Sequence, residues 1–359
     1  MIITRTPYRI SFFGGGTDYP SWYREHGGAV LATTIDKYCY LTCRYLPPFF
    51  EHRIRVVWSR IEMCHHRDEI RHPAVREVLR HVGIERGVEI HHDGDLPARS
   101  GMGSSSAFTV GLLHALYALK GHMPSKRELA LESVAIEQDR LKEAVGSQDQ
   151  VLAAHGGLNH VVFGRDGEIS VNPLTLSADL TQQLCRHLML FYTGITRTAS
   201  EVAESYIQRT NIKERHMQAL GQMVDEGLAI LNEGRDLVRF GRLLHEAWEA
   251  KRSLSASVSN KEIDDLYADA RGAGAIGGKL TGAGGGGFML LFVEPHNRAR
   301  VRERLSGLLH VPFRFSFGGS QVVFFDPEQD YSAEEQDRAA RILRPFREST
   351  PGRISWGRR

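Results

Sequence analysis

Residues 101–106, Gly-Met-Gly-Ser-Ser-Ser, place two glycines and three serines directly before an apolar run. Glycine allows a sharp turn and lets another group approach the backbone closely. Serines at the start of a helix cap its first turn and leave backbone N–H donors facing outward. The apolar run that continues to residue 119 predicts a buried helix, whose dipole favours negative charge at this end. The stretch therefore predicts either a phosphate-binding loop or an ordinary glycine turn before a core helix.

Two further glycine-rich loops occur, at residues 14–18 (Gly-Gly-Gly-Thr-Asp) and at residues 272–288. Three such loops can surround a nucleoside triphosphate and a polar co-substrate with main-chain donors. Two common phosphate-binding templates do not match. The P-loop template needs Ser or Thr after its lysine, but Leu280 follows Lys279. The dinucleotide fingerprint needs a third glycine after Gly103, where this chain has serines.

The composition is that of a soluble globular protein, with 359 residues, 42% hydrophobic and 25% charged. A formal net charge of +2 gives no reason to expect a nucleic-acid partner. The four cysteines do not form the dense pattern of a disulfide scaffold, which favours a reducing compartment. The N-terminus lacks the apolar segment of a signal peptide, and no apolar run is long enough to cross a bilayer. We therefore expect a cytoplasmic protein with no membrane partner.

Hydrophobic periodicity predicts alternating strands and helices. Strands are predicted at 2–4, 10–13, 38–45, 53–58, 88–92, 159–163, 188–192, 288–293, 311–317 and 322–325. Helices are predicted at 104–119, 126–145, 198–253, 261–271 and 297–309, and a further helix after residue 331. Ser125 followed by Glu128 predicts a capping box for the second of them.

A composition shift between residues 171 and 186 predicts a domain boundary. The predicted units are an N-terminal domain at 1–180, a C-terminal domain at 181–330 that the last two strands complete, and a basic tail at 331–359. An arginine-rich tail of this kind is typical of a solvated arm.

Taken in chain order, the three glycine loops resemble the three motifs of the GHMP kinase superfamily. This superfamily includes galactokinase, homoserine kinase, mevalonate kinase and phosphomevalonate kinase. Residues 7–18 resemble the first motif, residues 97–107 the second and residues 279–288 the third. The resemblance implies the α+β, two-lobed GHMP kinase fold. Its N-terminal lobe would be like ribosomal protein S5 domain 2 and its C-terminal lobe a ferredoxin-like αβ unit, with ATP and substrate between them.

The resemblance implies ATP as phosphate donor and Mg²⁺ as cofactor. The residues implied to bind ATP form residues 97–106, here named the phosphate loop: Pro97, Arg99, Ser100, Gly101, Met102, Gly103, Ser104, Ser105 and Ser106. Mg²⁺ prefers hard oxygen ligands, and the motif match assigns it the Ser105 hydroxyl, with Ser104 as the alternative. The carboxylate ligand implied on the helix before the catalytic aspartate is Glu137, with Asp139 and Glu143 as rivals.

The same match implies the catalytic groups. Asp149 would orient the acceptor hydroxyl and stabilise developing positive charge, and Arg9 would keep that carboxylate ionised and neutralise the transferred phosphoryl group. The residues implied to bind the substrate are Gly15, Gly16, Thr17, Asp18, Arg197, Gly284 and Gly285. If the acceptor carries its own phosphate, Lys251 and Arg252 are further candidates to bind it, beside Arg197.

The first loop lacks the Gly-Glu-His of galactokinases and mevalonate kinases. With residues 146–150 (Gly-Ser-Gln-Asp-Gln), it resembles the loop of sugar kinases that phosphorylate D-glycero-D-manno-heptose 7-phosphate at the anomeric hydroxyl. The alternatives are a kinase for another sugar, such as fucose or galactose, and a non-catalytic ligand sensor on the same fold. The expected partner is a small-molecule sugar phosphate, and a homodimer is an assembly that the resemblance leaves open.

Overall fold

The structure, a computed structural model, describes residues 1–195, 211–253, 255, 257–282, 284–327 and 331–340. Arg197, the predicted helical stretch 198–210 and most of the basic tail lie outside the described residues. Two sheets, one of nine strands and one of four, form the framework of the described part of the chain. This arrangement agrees with the predicted mixture of helices and sheets in two lobes.

The strands follow each other along the chain as β1 (Ile2–Phe13), β2 (Gly28–Tyr45), β3 (Ile54–Val57), β4 (Ile61–Cys64), β5 (Val88–Gly94), β6 (Leu158–Phe163), β7 (Ile169–Pro173), β8 (Leu188–Tyr192), β9 (Ala275–Leu280), β10 (Phe288–Val293), β11 (Leu309–His310), β12 (Phe315–Ser316) and β13 (Gln321–Phe325). The larger sheet has the order β13-β1-β2-β5-β3-β4, with β6 and β12 also paired to β2, and β7 paired to β6. The smaller sheet has the order β11-β8-β10-β9.

The helices are α1 (Pro20–His26), α2 (Pro73–Val82), α3 (Ser104–Leu119), α4 (Lys126–Ala135), α5 (Gln148–His155), α6 (Ala178–His187), α7 (Asn211–Glu233), α8 (Leu237–Arg252), α9 (Lys261–Gly272), α10 (Arg298–Arg304) and α11 (Ser332–Ala340). Among the described residues, none of these helices is both long and apolar enough to span a lipid bilayer. The prediction of a helix over 104–119 is confirmed, and so is the capping box at Ser125.

The first strand is continuous, and the prediction of two short strands at its ends was wrong. Pro7, between the two predicted strands, has no N–H to give to a neighbouring strand. In the structure Pro7 pairs opposite Tyr38, and the register between β1 and β2 shifts before Arg9. Such an irregularity lets an antiparallel pair continue through a residue that would otherwise interrupt it.

The last two strands belong to the larger sheet, so the prediction that they complete the C-terminal unit was wrong. β13 pairs antiparallel with β1, and β12 pairs with β2. The predicted helix at 297–309 is also shorter: α10 ends at Arg304, and the chain turns before it enters β11 at Leu309. The domain boundary near residue 180 stays a prediction.

A cluster of phenylalanines joins the two sheets. Phe240 of α8 lies edge-on to Phe12 and Phe13 of β1, with ring centroids 5.3 Å and 5.0 Å apart. The ring centroids of Phe240 and Phe292 of β10 lie 6.3 Å apart. These rings are buried, so α8 fixes the position of the smaller sheet against the first strand.

Candidate functional site

The phosphate loop connects β5 to α3 through residues with left-handed backbone. Gly101 and Gly103 have φ of 77° and 73°, and Arg99, which is not a glycine, has φ of 59°. Gly103 is the N-cap of α3 and provides no side-chain cap. The Ser104 hydroxyl instead accepts a hydrogen bond from the Arg99 N–H (3.2 Å). The first-turn N–H groups of α3 are therefore not capped by a side chain, as an anion-binding helix start requires.

Buried residues hold the loop in this shape. The Ser100 hydroxyl donates to the Pro97 carbonyl (2.6 Å), and both Ser100 and Met102 are fully buried. These contacts fix the turn itself, whereas Ser105 at the start of α3 is exposed.

The loop between β9 and β10, residues 281–287, here named the third loop, packs directly on the phosphate loop. A Cβ on Gly282 would lie 2.6 Å from the Gly101 Cα, and one on Gly287 would lie 2.7 Å from the Ser100 carbonyl carbon. Only glycines permit backbones to approach this closely. Gly284 and Gly285 contact Val258 instead, whose carbonyl accepts from the Gly285 N–H at 2.8 Å.

Arg9 and Asp149 form a bidentate ion pair beside the phosphate loop. The Arg9 Nε and Nη2 atoms donate to the two carboxylate oxygens at 2.7 Å and 2.8 Å. Arg9 also donates from Nη1 to the Gly101 carbonyl (2.6 Å). A Cβ on Gly103 would lie 3.3 Å from the Asp149 Oδ2 atom. The structure therefore brings the two predicted catalytic residues to the predicted phosphate loop, and Asp149 keeps 24% of its side chain exposed.

The first loop, residues 14–18, is held by a buried aspartate. Asp18 accepts from the Gly16 N–H (2.9 Å) and from the Gln148 N–H (3.3 Å), and its carbonyl accepts from the Ser147 N–H (2.9 Å). Burial raises the pKa of the Asp18 carboxyl, and the charge of Asp149 adds to the effect. The loop and the start of α5 are thus tied together, which places Asp18 near Asp149.

Thr17 lies within the same loop but bonds to backbone. Its hydroxyl donates to the carbonyls of Gly14 (2.8 Å) and Ala29 (2.9 Å), and it accepts from the Ala29 N–H. The side chain is 1% exposed. Thr17 therefore maintains the loop, and its predicted contact with substrate stays a prediction, as do those of Gly15 and Gly16.

Replacing Gly146 by alanine is expected to disrupt acceptor binding, because the new Cβ would overlap the Asp18 carboxylate and lie 2.6 Å from its Cγ. We expect the KM for the phosphoryl acceptor to rise at least about tenfold, since the displaced carboxylate loses its two backbone donors. The control is Gly272→Ala at the end of α9, where a Cβ would meet nothing within 4 Å. Steady-state kinetics of both variants test this, and equal KM values would contradict it.

Lys251 lies in the same region. Its side chain is buried, whereas that of Arg252 is not. Its Nζ atom donates to the Gly282 carbonyl of the third loop. Burial lowers the pKa of Lys251 to about 8, and the positive charge of Arg9 contributes. Arg252 points elsewhere, to Glu249 and Asp264 at 3.0 Å and 2.9 Å. The helical spacing of Leu244, Trp248 and Lys251 could have indicated a buried face, because residues four and three apart share one side of a helix.

Lys279, the first residue of the third motif, is also buried. Its Nζ atom donates to the Phe12 carbonyl at 2.9 Å. The β1–β2 register shifts between Ser11 and Phe13, so the Lys279 ammonium donates its hydrogen bond to the carbonyl at that irregularity. Burial holds the pKa of Lys279 well below its usual range. This lysine connects the smaller sheet to β1, a structural role that the motif alone does not indicate.

Glu137 lies in a π-helical turn, Ile136–Arg140, that follows α4. The prediction of an α-helix through residue 145 was therefore wrong. The turn buries Glu137 completely, and its Oε2 atom accepts from Ser106 (2.8 Å) and Gln150 (2.5 Å). Its Oε1 atom is buried without a hydrogen-bond partner in the described part of the chain.

The environment of Glu137 fits a cation better than those of its rivals. Burial raises its carboxyl pKa to about 7. Asp139 is exposed, and Glu143 is half-buried with a carboxyl pKa raised by burial. The Glu137 Oε1 atom has no partner in the described part of the chain, and the carboxylate lies next to Ser106, which follows Ser105. The Glu137 carboxylate and the Ser105 hydroxyl are hard oxygen ligands of the kind that Mg²⁺ prefers.

The chain matches family models and known proteins along most of its length. Residues 69–157 match the model of the GHMP kinases N-terminal domain, and residues 211–310 match that of the GHMP kinases C-terminal domain. A D-glycero-alpha-D-manno-heptose 7-phosphate kinase from Campylobacter jejuni is 28% identical over 85% of this chain and 93% of its own length. A mevalonate kinase from Methanothermobacter thermautotrophicus is 32% identical over 62% of this chain and 73% of its own length.

A solved structure has the same fold. The crystal structure of a D-glycero-D-manno-heptose 1-phosphate kinase from Bacteroides thetaiotaomicron superposes with a TM-score of 0.74. It is 24% identical and covers 91% of this chain and 100% of that one. The family models and the shared fold agree with the two-sheet α+β architecture described above. The chain belongs to the GHMP kinase family and is a phosphotransferase with an alcohol group as acceptor.

Proposed function

We propose that this protein is an ATP- and Mg²⁺-dependent sugar 1-kinase whose acceptor is D-glycero-α-D-manno-heptose 7-phosphate. The product would be the 1,7-bisphosphate, a precursor of nucleotide-activated heptose for surface glycans. The observation that carries the proposal is the contact between the Arg9–Asp149 pair and the glycines of the phosphate loop. This contact puts a carboxylate that can orient a hydroxyl beside a loop that can hold phosphates.

In the proposed reaction, the anomeric hydroxyl oxygen attacks the γ-phosphorus of ATP, and the bond from that phosphorus to the β–γ bridging oxygen breaks. Asp149 accepts a hydrogen bond from the hydroxyl, aims it at the phosphorus and takes its proton late in the transfer. Arg9 holds both carboxylate oxygens, so the carboxylate has one fixed orientation. Much of the rate enhancement then comes from positioning.

The N–H groups of the phosphate loop and of the first turn of α3 would bind the ATP phosphates. Ser105 and Glu137 would hold Mg²⁺, which neutralises phosphate charge when it is bound. Within this division of roles, Ser106 and Gln150 keep the Glu137 carboxylate in place.

Lys251 supplies a second positive charge at the point of transfer. Arg9 binds the Gly101 carbonyl, Gly101 touches Gly282, and Lys251 binds the Gly282 carbonyl. The two cations therefore each bind a carbonyl of the two glycines at which the phosphate loop meets the third loop. Negative charge on the transferring phosphoryl group would be neutralised by both.

The choice of sugar rests on the first loop, on residues 146–150, and on the Campylobacter relative, which is a kinase of heptose 7-phosphate. A panel of free and phosphorylated sugars, incubated with ATP and Mg²⁺ while ADP release is measured, tests this choice. We expect kcat/KM for heptose 7-phosphate to exceed that for galactose or fucose by at least about a hundredfold, because a site built for a phosphate loses charge-assisted bonds without it.

Each other outcome of the panel identifies an alternative. Preference for fucose or galactose would overturn the heptose assignment and leave a sugar kinase. ATP binding without turnover on any sugar would favour a ligand sensor, for which the Arg9–Asp149 pair would have no purpose.

A further inference from the structure

Two buried polar atoms next to the catalytic pair have no hydrogen-bond partner in the described part of the chain. They are the Ser11 hydroxyl oxygen and the Gln148 side-chain oxygen. Each residue is 7% exposed. Both border Gly15 of the first loop, since a Cβ there would lie 3.5 Å from the Ser11 Oγ and 3.7 Å from the Gln148 Nε2.

Their positions in the chain direct them to the site. Between Arg9 and Ser11 the pairing of β1 with β2 is regular, so alternate residues share one face of the strand. Ser11 therefore projects to the same side as Arg9. Gln148 directly precedes Asp149 in the first turn of α5, and its own N–H is bonded to Asp18. Ser11 thus shares a strand face with Arg9, and Gln148 is the chain neighbour of Asp149, with both side chains next to Gly15.

An unsatisfied buried hydroxyl or carboxamide costs roughly 1–3 kcal/mol, and native proteins keep few of them. Two beside one glycine indicate a missing ligand. A hydroxyl and a carboxamide are neutral, and each can both donate and accept. They suit the hydroxyl groups of a sugar, whereas a phosphate attracts the cations Arg9 and Lys251.

We propose that Ser11 and Gln148 bind hydroxyl groups of the acceptor sugar and determine which sugar is phosphorylated. Gly15 leaves open the space between them that a side chain would fill. The inference rests on the proposed function in that the acceptor must be a polyol, and it does not depend on which sugar the panel ranks first.

The test uses the variants Ser11→Ala and Gln148→Met, assayed with the sugar that the panel ranks first. We expect each to raise the KM for that sugar about five- to tenfold, the value of one hydrogen bond, with the KM for ATP unchanged. Their melting temperatures should not fall, because each change removes a polar atom that has no partner among the described residues. One monodeoxy analogue of the sugar lacks the hydroxyl that Ser11 or Gln148 binds. The variant of that residue should discriminate between the sugar and this analogue less strongly than the wild type does.

The matched control is Ser133→Ala in α4, which also removes a fully buried hydroxyl without a partner in the described chain. It should change neither KM. If Ser11→Ala and Gln148→Met behave like this control, or if the deoxy analogues are discriminated as in the wild type, the inference is wrong. If the panel ranks another sugar first, the heptose assignment is wrong, but the inference about Ser11 and Gln148 is still tested, because the variants are then assayed with that sugar.

Discussion

Asp149→Asn is expected to lower kcat at least about a thousandfold, because an amide cannot take the hydroxyl proton and its NH₂ group faces the Arg9 guanidinium. The dissociation constant for ATP should change less than about threefold, since the hydrogen bonds that shape the phosphate loop, from the Arg99 N–H to Ser104 and from Ser100 to Pro97, do not involve the Asp149 side chain. Single-turnover kinetics for the chemical step and calorimetry for ATP binding measure these two quantities.

The matched control is Asp179→Asn. Asp179 is the second residue of α6, as Asp149 is the second residue of α5. A carboxylate at this position stabilises either helix through its dipole, so the control removes the same effect without touching the site. Wild-type turnover by Asp149→Asn would assign the acceptor hydroxyl to another residue. A large loss in Asp179→Asn would show that helix stability, and not chemistry, causes the effect.

Lys251→Met is expected to lower kcat about a hundredfold, because the transferring phosphoryl group loses one of its two buried cations. The same change has a second effect that activity does not report. Burial lowers the pKa of Lys251 from 10.5 to about 8 in the folded protein; the positive charge of Arg9 adds to this shift, and the negative charges of Asp18 and Asp149 oppose it. The unfolded chain therefore binds more protons between pH 8 and pH 10.5.

Stability that depends on this lysine consequently rises with pH over that window. Relative to Lys251→Met, the wild type should gain about 3 kcal/mol of unfolding free energy between pH 7.5 and pH 10.5. Urea denaturation of both proteins at several pH values measures the difference, in which groups whose pKa does not depend on Lys251 cancel. Lys261→Met is the control, since that side chain is 90% exposed on α9. A difference that does not vary with pH would place Lys251 in water.

The sequence predicts the local features of the site well, because they depend on residue types over short distances. The glycine turn before α3 and the capping box of α4 are determined by residues within a few positions of each other. The resemblance also pairs Arg9 with Asp149, which the structure joins by two hydrogen bonds. The roles assigned to these residues in binding and catalysis stay predictions.

Features that depend on distant residues could not be predicted from these patterns. The π-helical turn that buries Glu137 follows a regular helical pattern in the sequence, and only its packing against Ser106 and Gln150 distinguishes it. Helical spacing can place Lys251 on a buried face of α8, but nothing local indicates that its partner is the Gly282 carbonyl of the third loop. Strands at 315–325 are recognisable as strands, but nothing local indicates which sheet they join.

The pairing of β13 with β1 has a consequence for the order of folding. Ile2 lies opposite Phe325, so nearly the whole chain separates two adjacent strands. During synthesis the first strand leaves the ribosome with one of its two neighbours still untranslated. The sheet that carries Arg9 can be completed only after the strands of the smaller sheet have been translated. Closing so long a loop is slow, so the pairing of β13 with β1 is expected to be among the last steps by which the enzyme folds.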